Sequence, residues 1–187
     1  MEKIVRIPKD EYYLKIAERV AERSTCLRRL VGSVIVKRDR IVSTGYVGAP
    51  RKEPNCIDLG KCKRLELNLP SGMFYEICRS VHAEENAIIN AASSGVEIYG
   101  ATLYIFSKPR SKDYYPEGQE PSSLYLPCYR CKKLIINSGL EKVVVLANDK
   151  VKEIPIEELR ELLREDEKKQ DELYSWLIKK WKSNLQE

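Results

Sequence analysis

Histidine is all but absent from this sequence: one residue, His82, among 187. Whatever chemistry here needs an imidazole must use that one side chain. Long apolar runs are missing as well. No stretch approaches the roughly 18 apolar residues that suggest a membrane-spanning helix, so no membrane partner is expected. The first ten residues, M-E-K-I-V-R-I-P-K-D, lack the apolar core of a secretory signal, and a soluble, cytoplasmic protein is the expectation. Charges are abundant but nearly balanced, 33 basic against 28 acidic, a net of +5. That small excess suits a phosphorylated small molecule. It falls short of the concentrated basic patch of a nucleic-acid binder, so nucleic acid is not an expected partner. An apolar fraction of 43% over this length argues against disorder throughout and allows one ordinary domain with a real core.

What the chain does have is thiols, six of them. A reducing cytosol disfavours structural disulfides, which makes metal binding the better account of clustered cysteines. Two stretches stand out, V-H-A-E-E-N-A at 81–87 and L-P-C-Y-R-C-K at 126–132. His82, Cys128 and Cys131 make a one-histidine, two-thiolate zinc site. Structural zinc closes four positions with protein ligands, whereas three ligands leave the fourth for water, whose pKa the metal can lower to about 7. Glu84, two residues after the histidine, then has a proton to move. Pro127 suits the first turn of a helix, and Cys128 and Cys131 at i and i+3 share one face of that turn, so their sulfurs converge. The positive end of the helix dipole favours thiolate, the form that binds metal. A helix starting beside His82 gives the picture of two helix N-termini meeting at one ion. A lone C-x-x-C can also be a redox pair; the histidine and glutamate tip the reading toward catalytic zinc. Glu85 reads as an exposed helix charge.

The order H-x-E…P-C-x-x-C resembles the signature of zinc nucleobase deaminases, and within them the chain most resembles the deoxycytidylate deaminases. The stretches that carry the resemblance are S-T-C-L-R-R-L-V-G-S-V-I-V-K (24–37), I-V-S-T-G-Y-V-G-A-P (41–50), H-A-E-E-N-A-I-I-N-A-A (82–92), G-A-T-L-Y (100–104) and P-C-Y-R-C (127–131). It implies a three-layer α/β/α cytidine-deaminase-like fold with a central mixed sheet, a homo-oligomer, and zinc-dependent hydrolysis of dCMP to dUMP and ammonia. His82, Cys128 and Cys131 match the family's zinc ligands, and Glu84 its proton shuttle. Some members hold a second, structural zinc, for which Cys26, Cys56, Cys62 and Cys78 are the candidates here. Candidate substrate contacts are Tyr46, Val47, Ala83 and Tyr125. Position 47 departs from the family, which usually has an asparagine that binds the nucleotide; valine cannot make that hydrogen bond. Another nucleoside, nucleotide or RNA base therefore stays open as substrate, as does a non-catalytic, zinc-stabilised interaction protein.

Along the chain, Asp10 is expected to cap a helix to about Thr25, with Leu14, Ala17, Val20 and Ala21 as its buried stripe. Residues 31–37 and 40–46 read as an antiparallel hairpin, and 45–50 as the turn that closes it. Residues 51–80 have little periodicity. Helices are expected at 83–93 and 128–138, strands at 101–106 and 143–147, and a loop at 107–126, whose Tyr114, Tyr115, Tyr125, Lys108, Arg110 and Lys112 can meet base or phosphate. A fifth strand is hard to find unless 151–154 supplies it. We divide the chain into a deaminase domain, 1–155, and a C-terminal helical extension, 156–187, of one long helix or two collinear ones around a charged middle.

Overall fold

The computed structural model describes residues 5–69, 73–111, 126–147 and 150–184. Five strands form one mixed sheet in the order β2-β1-β3-β4-β5: β1 (Arg29–Lys37), β2 (Arg40–Tyr46), β3 (Thr102–Pro109), β4 (Lys142–Ala147) and β5 (Lys150–Pro155). The β3–β4 pair is parallel and the others are antiparallel. The fifth strand exists because Ile154, fully buried opposite Val143, anchors a short antiparallel return.

The alternation of side chains along central strands sorts the core into two layers. Val34, Val36, Tyr104 and Val144 face helix α1 (Lys9–Ala21), packing with its Tyr13, Leu14 and Ala17. Ile35, Leu103, Ile105, Val143 and Val145 face the other way, onto α4 (Ala83–Ser93), α5 (Tyr129–Asn137) and the start of α6 (Ile156–Asn184). The result is the expected three-layer α/β/α arrangement. The β1–β2 turn places Arg38 and Asp39 at positive φ, the backbone twist that two-residue hairpins favour.

Several local expectations need correction. Helix α1 starts at Lys9 after Pro8 and ends at Ala21. Asp10 is therefore inside its first turn, where its carboxylate accepts the Tyr104 hydroxyl at 2.7 Å. Tyr13 joins the buried stripe, while Val20 is only half-buried. Residues 45–50 do not form a turn. Gly45 and Tyr46 end β2, and the chain continues extended, so that Gly48 and Val81 exchange main-chain hydrogen bonds of 3.2 and 2.8 Å. Strand β3 runs on to Pro109 because β1 begins earlier than expected and pairs Arg29 with it.

Within 51–80 lie two single-turn helices, α2 (Cys56–Leu59) and α3 (Lys63–Glu66), and a 3-10 turn, Tyr75–Ile77. Side chains tie this segment down: Arg64 donates to the Phe74 carbonyl at 2.6 Å and Arg79 to that of Pro54 at 2.7 Å. Helix α6 is one continuous helix of 29 residues. Among the described residues, no helix is long and apolar enough to cross a membrane.

Candidate metal centre

Two helix N-termini bring the site together. The bridge between Gly48 and Val81 delivers His82 to the start of α4, where it is the N-cap residue in extended conformation. Helix α4 is held on the edge of β2 by Asn86 and Asn90, one turn apart, whose side-chain amides donate to the Tyr46 and Thr44 carbonyls at 2.7 and 2.8 Å. Those bonds also satisfy acceptors on an edge strand. Cys128 is the N-cap of α5, with Cys131 inside its first turn. Pro127 thus precedes the cap and does not sit in the first turn.

The Nδ1 atom of His82 lies 3.4 Å from the Cys128 sulfur and 3.3 Å from that of Cys131. The three ligand atoms lie within 4.8 Å of one another, and both His82 and Cys131 are buried. A tetrahedral zinc, with metal–sulfur bonds of about 2.3 Å and metal–nitrogen bonds of about 2.0–2.1 Å, sets nitrogen and sulfur about 3.5 Å apart. The donor set therefore fits zinc in both chemistry and spacing.

Electrostatics agree with that fit. A hydrogen bond with Cys131 and the nearby His82 outweigh burial and draw the Cys128 thiol down to about 4, while the same shared bond and burial push Cys131 up. Burial alone would lower His82, but hydrogen bonds to the Cys128 and Cys78 sulfurs raise it to about 11. Glu84 is completely buried next to His82, and burial, outweighing the attraction of His82, pushes its carboxyl above the usual carboxylate range.

Four groups around the histidine were not singled out as site residues by sequence reasoning. Glu85 is buried, not exposed: its Oε2 accepts the His82 main-chain N–H at 2.9 Å and the Arg130 guanidinium at 2.7 Å. The signal was available, since an acidic residue three positions after an N-cap commonly reaches back to it. Tyr75 presents its ring edge-on to His82, with centroids 5.3 Å apart, and the buried Arg64 lies over the Tyr75 ring at 4.5 Å. These come from a segment without periodicity and carry no sequence signal.

The second cysteine group is looser. Among the described residues, the set of three or more donors within metal-binding reach is His82, Cys128 and Cys131; Cys26, Cys56, Cys62 and Cys78 do not form another. They are neighbours nonetheless. Burial raises Cys26 and Cys56, and the charges of Cys62 and Cys78 raise both further. Cys56 also lies 3.8 Å from the Ser80 hydroxyl. For Cys78, burial would raise the thiol, but the interaction with His82 and other contacts outweigh burial and lower it.

Of the candidate substrate contacts, Tyr46 is exposed at the end of β2, Ala83 is buried in the first turn of α4, and Val47 is buried in the apolar cluster with Ala83 and Ala87. The Val47 main chain is engaged as well, donating to the Val31 carbonyl and accepting from the Thr25 N–H. Tyr125, Tyr114, Tyr115 and Lys112 lie outside the described residues. Lys108 forms a 3.5 Å ion pair with Glu18, and Arg110 donates to the carbonyls of Cys26 and Ser24, so both are tied to the body of the fold.

Residues 7–147 match the model of a family described as the cytidine and deoxycytidylate deaminase zinc-binding region. The chain is 37% identical over 140 residues to the deoxycytidylate deaminase of Mycobacterium phage D29, covering 72% of this chain and 91% of that one. It is 34% identical over 144 residues to the deoxycytidylate deaminase of Saccharomyces cerevisiae, covering 77% of this chain but 39% of that longer relative. Among solved structures, dCMP deaminase from the cyanophage S-TIM5 in apo form aligns with a TM-score of 0.51 at 26% identity, over 76% of this chain and 86% of that one. The same phage protein in complex with dCMP and dUMP aligns with a TM-score of 0.50, over 75% and 83%.

Proposed function

The chain belongs to the cytidine and deoxycytidylate deaminase family, and on that footing we propose that it catalyses the hydrolytic, zinc-dependent deamination of dCMP to dUMP and ammonia. The observation that carries this reading is the placement of the buried Glu84 beside a His82–Cys128–Cys131 cluster with zinc-ligand spacing. His82, Cys128 and Cys131 would hold the ion, which supplies the Lewis acidity that makes water nucleophilic near neutral pH. Glu84 accepts the proton of the water that adds to C4 of the ring, passes it to the ring nitrogen, and then assists the departing ammonia. Sealing this carboxyl from solvent keeps the transferred proton within the site.

Tyr46, Val47, Ala83 and Tyr125 are assigned to the substrate. With its side chain in the core and its main chain engaged, Val47 contributes shape, not a hydrogen bond. A second zinc on Cys26, Cys56, Cys62 and Cys78 is a separate proposal: these thiols influence one another electrostatically, but among the described residues they do not form a set within metal-binding reach. We also assign the protein to the cytoplasm and to a homo-oligomer. The family match ends at 147, which supports treating 156–187 as an extension of a deaminase domain at 1–155.

Release of ammonia from dCMP by zinc-loaded protein tests the reading, with Glu84→Gln as control. General acid–base catalysis contributes typically 10²–10⁴-fold. The control is therefore expected to lose at least about 100-fold in kcat while keeping its zinc. Turnover retained in Glu84→Gln would overturn the role of Glu84, and no turnover of dCMP by the parent protein would overturn the substrate. Zinc stoichiometry decides the second site: two ions per chain support it and one removes it.

A further inference from the structure

The N-cap residues of α4 and α5 are His82 and Cys128, both proposed ligands, and on α4 Glu85 completes a capping box with His82. Glu85 is the third residue of α4 and 6% exposed. One of its oxygens accepts both the His82 N–H and the guanidinium of Arg130, a residue between the two ligand cysteines. A single atom thus joins the main chain of one ligand arm to a side chain of the other, across a 45-residue gap. The Arg130 side chain is more open, at 36% exposure, so the charge pair runs from the buried Glu85 toward solvent.

We propose that Glu85 and Arg130 are positioning residues, a clamp that holds the His82 arm and the Cys128–Cys131 arm in register for the metal. The inference rests on the zinc reading of this site and assigns it two further members. Neither touches the reacting atoms. Groups that orient metal ligands typically influence metal affinity or activity by about 10–100-fold. The charge on Glu85 acts on α5 through Arg130, while its oxygen acts on α4 through the His82 amide.

The experiment is a zinc-affinity titration by chelator competition on the full chain, comparing the parent protein with Glu85→Gln, Arg130→Met, the double variant and Cys128→Ser. Glu85→Gln keeps an acceptor for the His82 amide and loses the charge. Arg130→Met changes a side chain open enough to solvent to leave the fold in place. Each is expected to weaken zinc binding about tenfold, with the double variant no worse than either single one, because they break the same link. Zinc-saturated Arg130→Met should lose kcat with KM for dCMP little changed. Zinc affinity and kcat at parent levels in Arg130→Met, or fully additive losses in the double variant, would overturn the clamp. Cys128→Ser separates the two readings: loss of zinc there with none in Arg130→Met refutes the clamp alone, whereas parent-like zinc binding in Cys128→Ser refutes the ligand assignment beneath it.

Discussion

At Gly45 helix α4 comes down onto the sheet without a side chain between them. A Cβ there would lie 2.3 Å from the Ala87 nitrogen and 2.4 Å from the Ala83 carbonyl oxygen, and both of those atoms are backbone. Because Ala83 follows His82, any retreat of the helix moves the ligand arm. Gly45→Ala is expected to destabilise the fold by about 3 kcal/mol, the upper part of the range for overpacking, and to weaken zinc binding in the same protein. Urea unfolding and metal titration measure the two effects. Gly32 has the same function on the opposite face, where a Cβ would meet the Ala17 oxygen at 2.3 Å, but that contact concerns α1 and should leave the metal alone. Val47 is buried in the apolar cluster that also holds Val31, Ile35 and Ala87, where a valine side chain needs no polar partner.

Helix α6 is joined to α5 by more than apolar packing. Leu159 is fully buried in the shared core, and the Lys132 ammonium, 4% exposed, pairs with Asp166 at 2.9 Å and approaches the Leu162 carbonyl at 3.4 Å. Lys132 directly follows Cys131, so the long helix braces the element that carries two of the three proposed ligands. Removing one partner of a fully buried pair costs about 3–5 kcal/mol; Asp166 is a quarter exposed, which screens the loss. Lys132→Met is expected to cost about 1–3 kcal/mol in chemical unfolding, and Asp166→Asn less. An unchanged midpoint in Lys132→Met would mean that α6 contributes nothing through this contact. Further along, Tyr174 meets Phe74 edge-on with centroids 6.4 Å apart, so the same helix reaches the segment that presents Tyr75 to His82. Tyr174, Trp176 and Ile178 nonetheless leave about half of their surface exposed, and the Trp181 side chain lies outside the described residues.

For the whole molecule, folding and metal binding are linked. The two ligand arms join α4 to α5, and an ion that binds the folded chain stabilises it by about 2.7 kcal/mol at a concentration 100-fold above its dissociation constant. Treatment with a chelator is expected to lower the Tm by several degrees, and zinc should restore it. A Tm indifferent to zinc would mean that the arms are fixed by the fold alone. His82 and Cys128 lie at the starts of different helices, so an ion between them reports on the docking of the two.

The metal cluster was legible in the sequence. The H-x-E and P-C-x-x-C spacings picked out His82, Cys128 and Cys131, which the fold brings within metal-binding reach, because ligation needs particular atoms and a short spacing constrains where those atoms point. Elements with strong local period were also legible: β2 at Arg40–Tyr46 and α4 at Ala83–Ser93 have the bounds expected for them. Tertiary structure alone decided the rest. Glu85 looks like a surface charge until α5 brings Arg130 to it, Gly45 looks like a turn residue until α4 lands on it, and β5 becomes a strand because β4 offers it an edge. Burial and hydrogen-bond partners depend on which distant segment docks, and a local pattern along the chain carries no record of that.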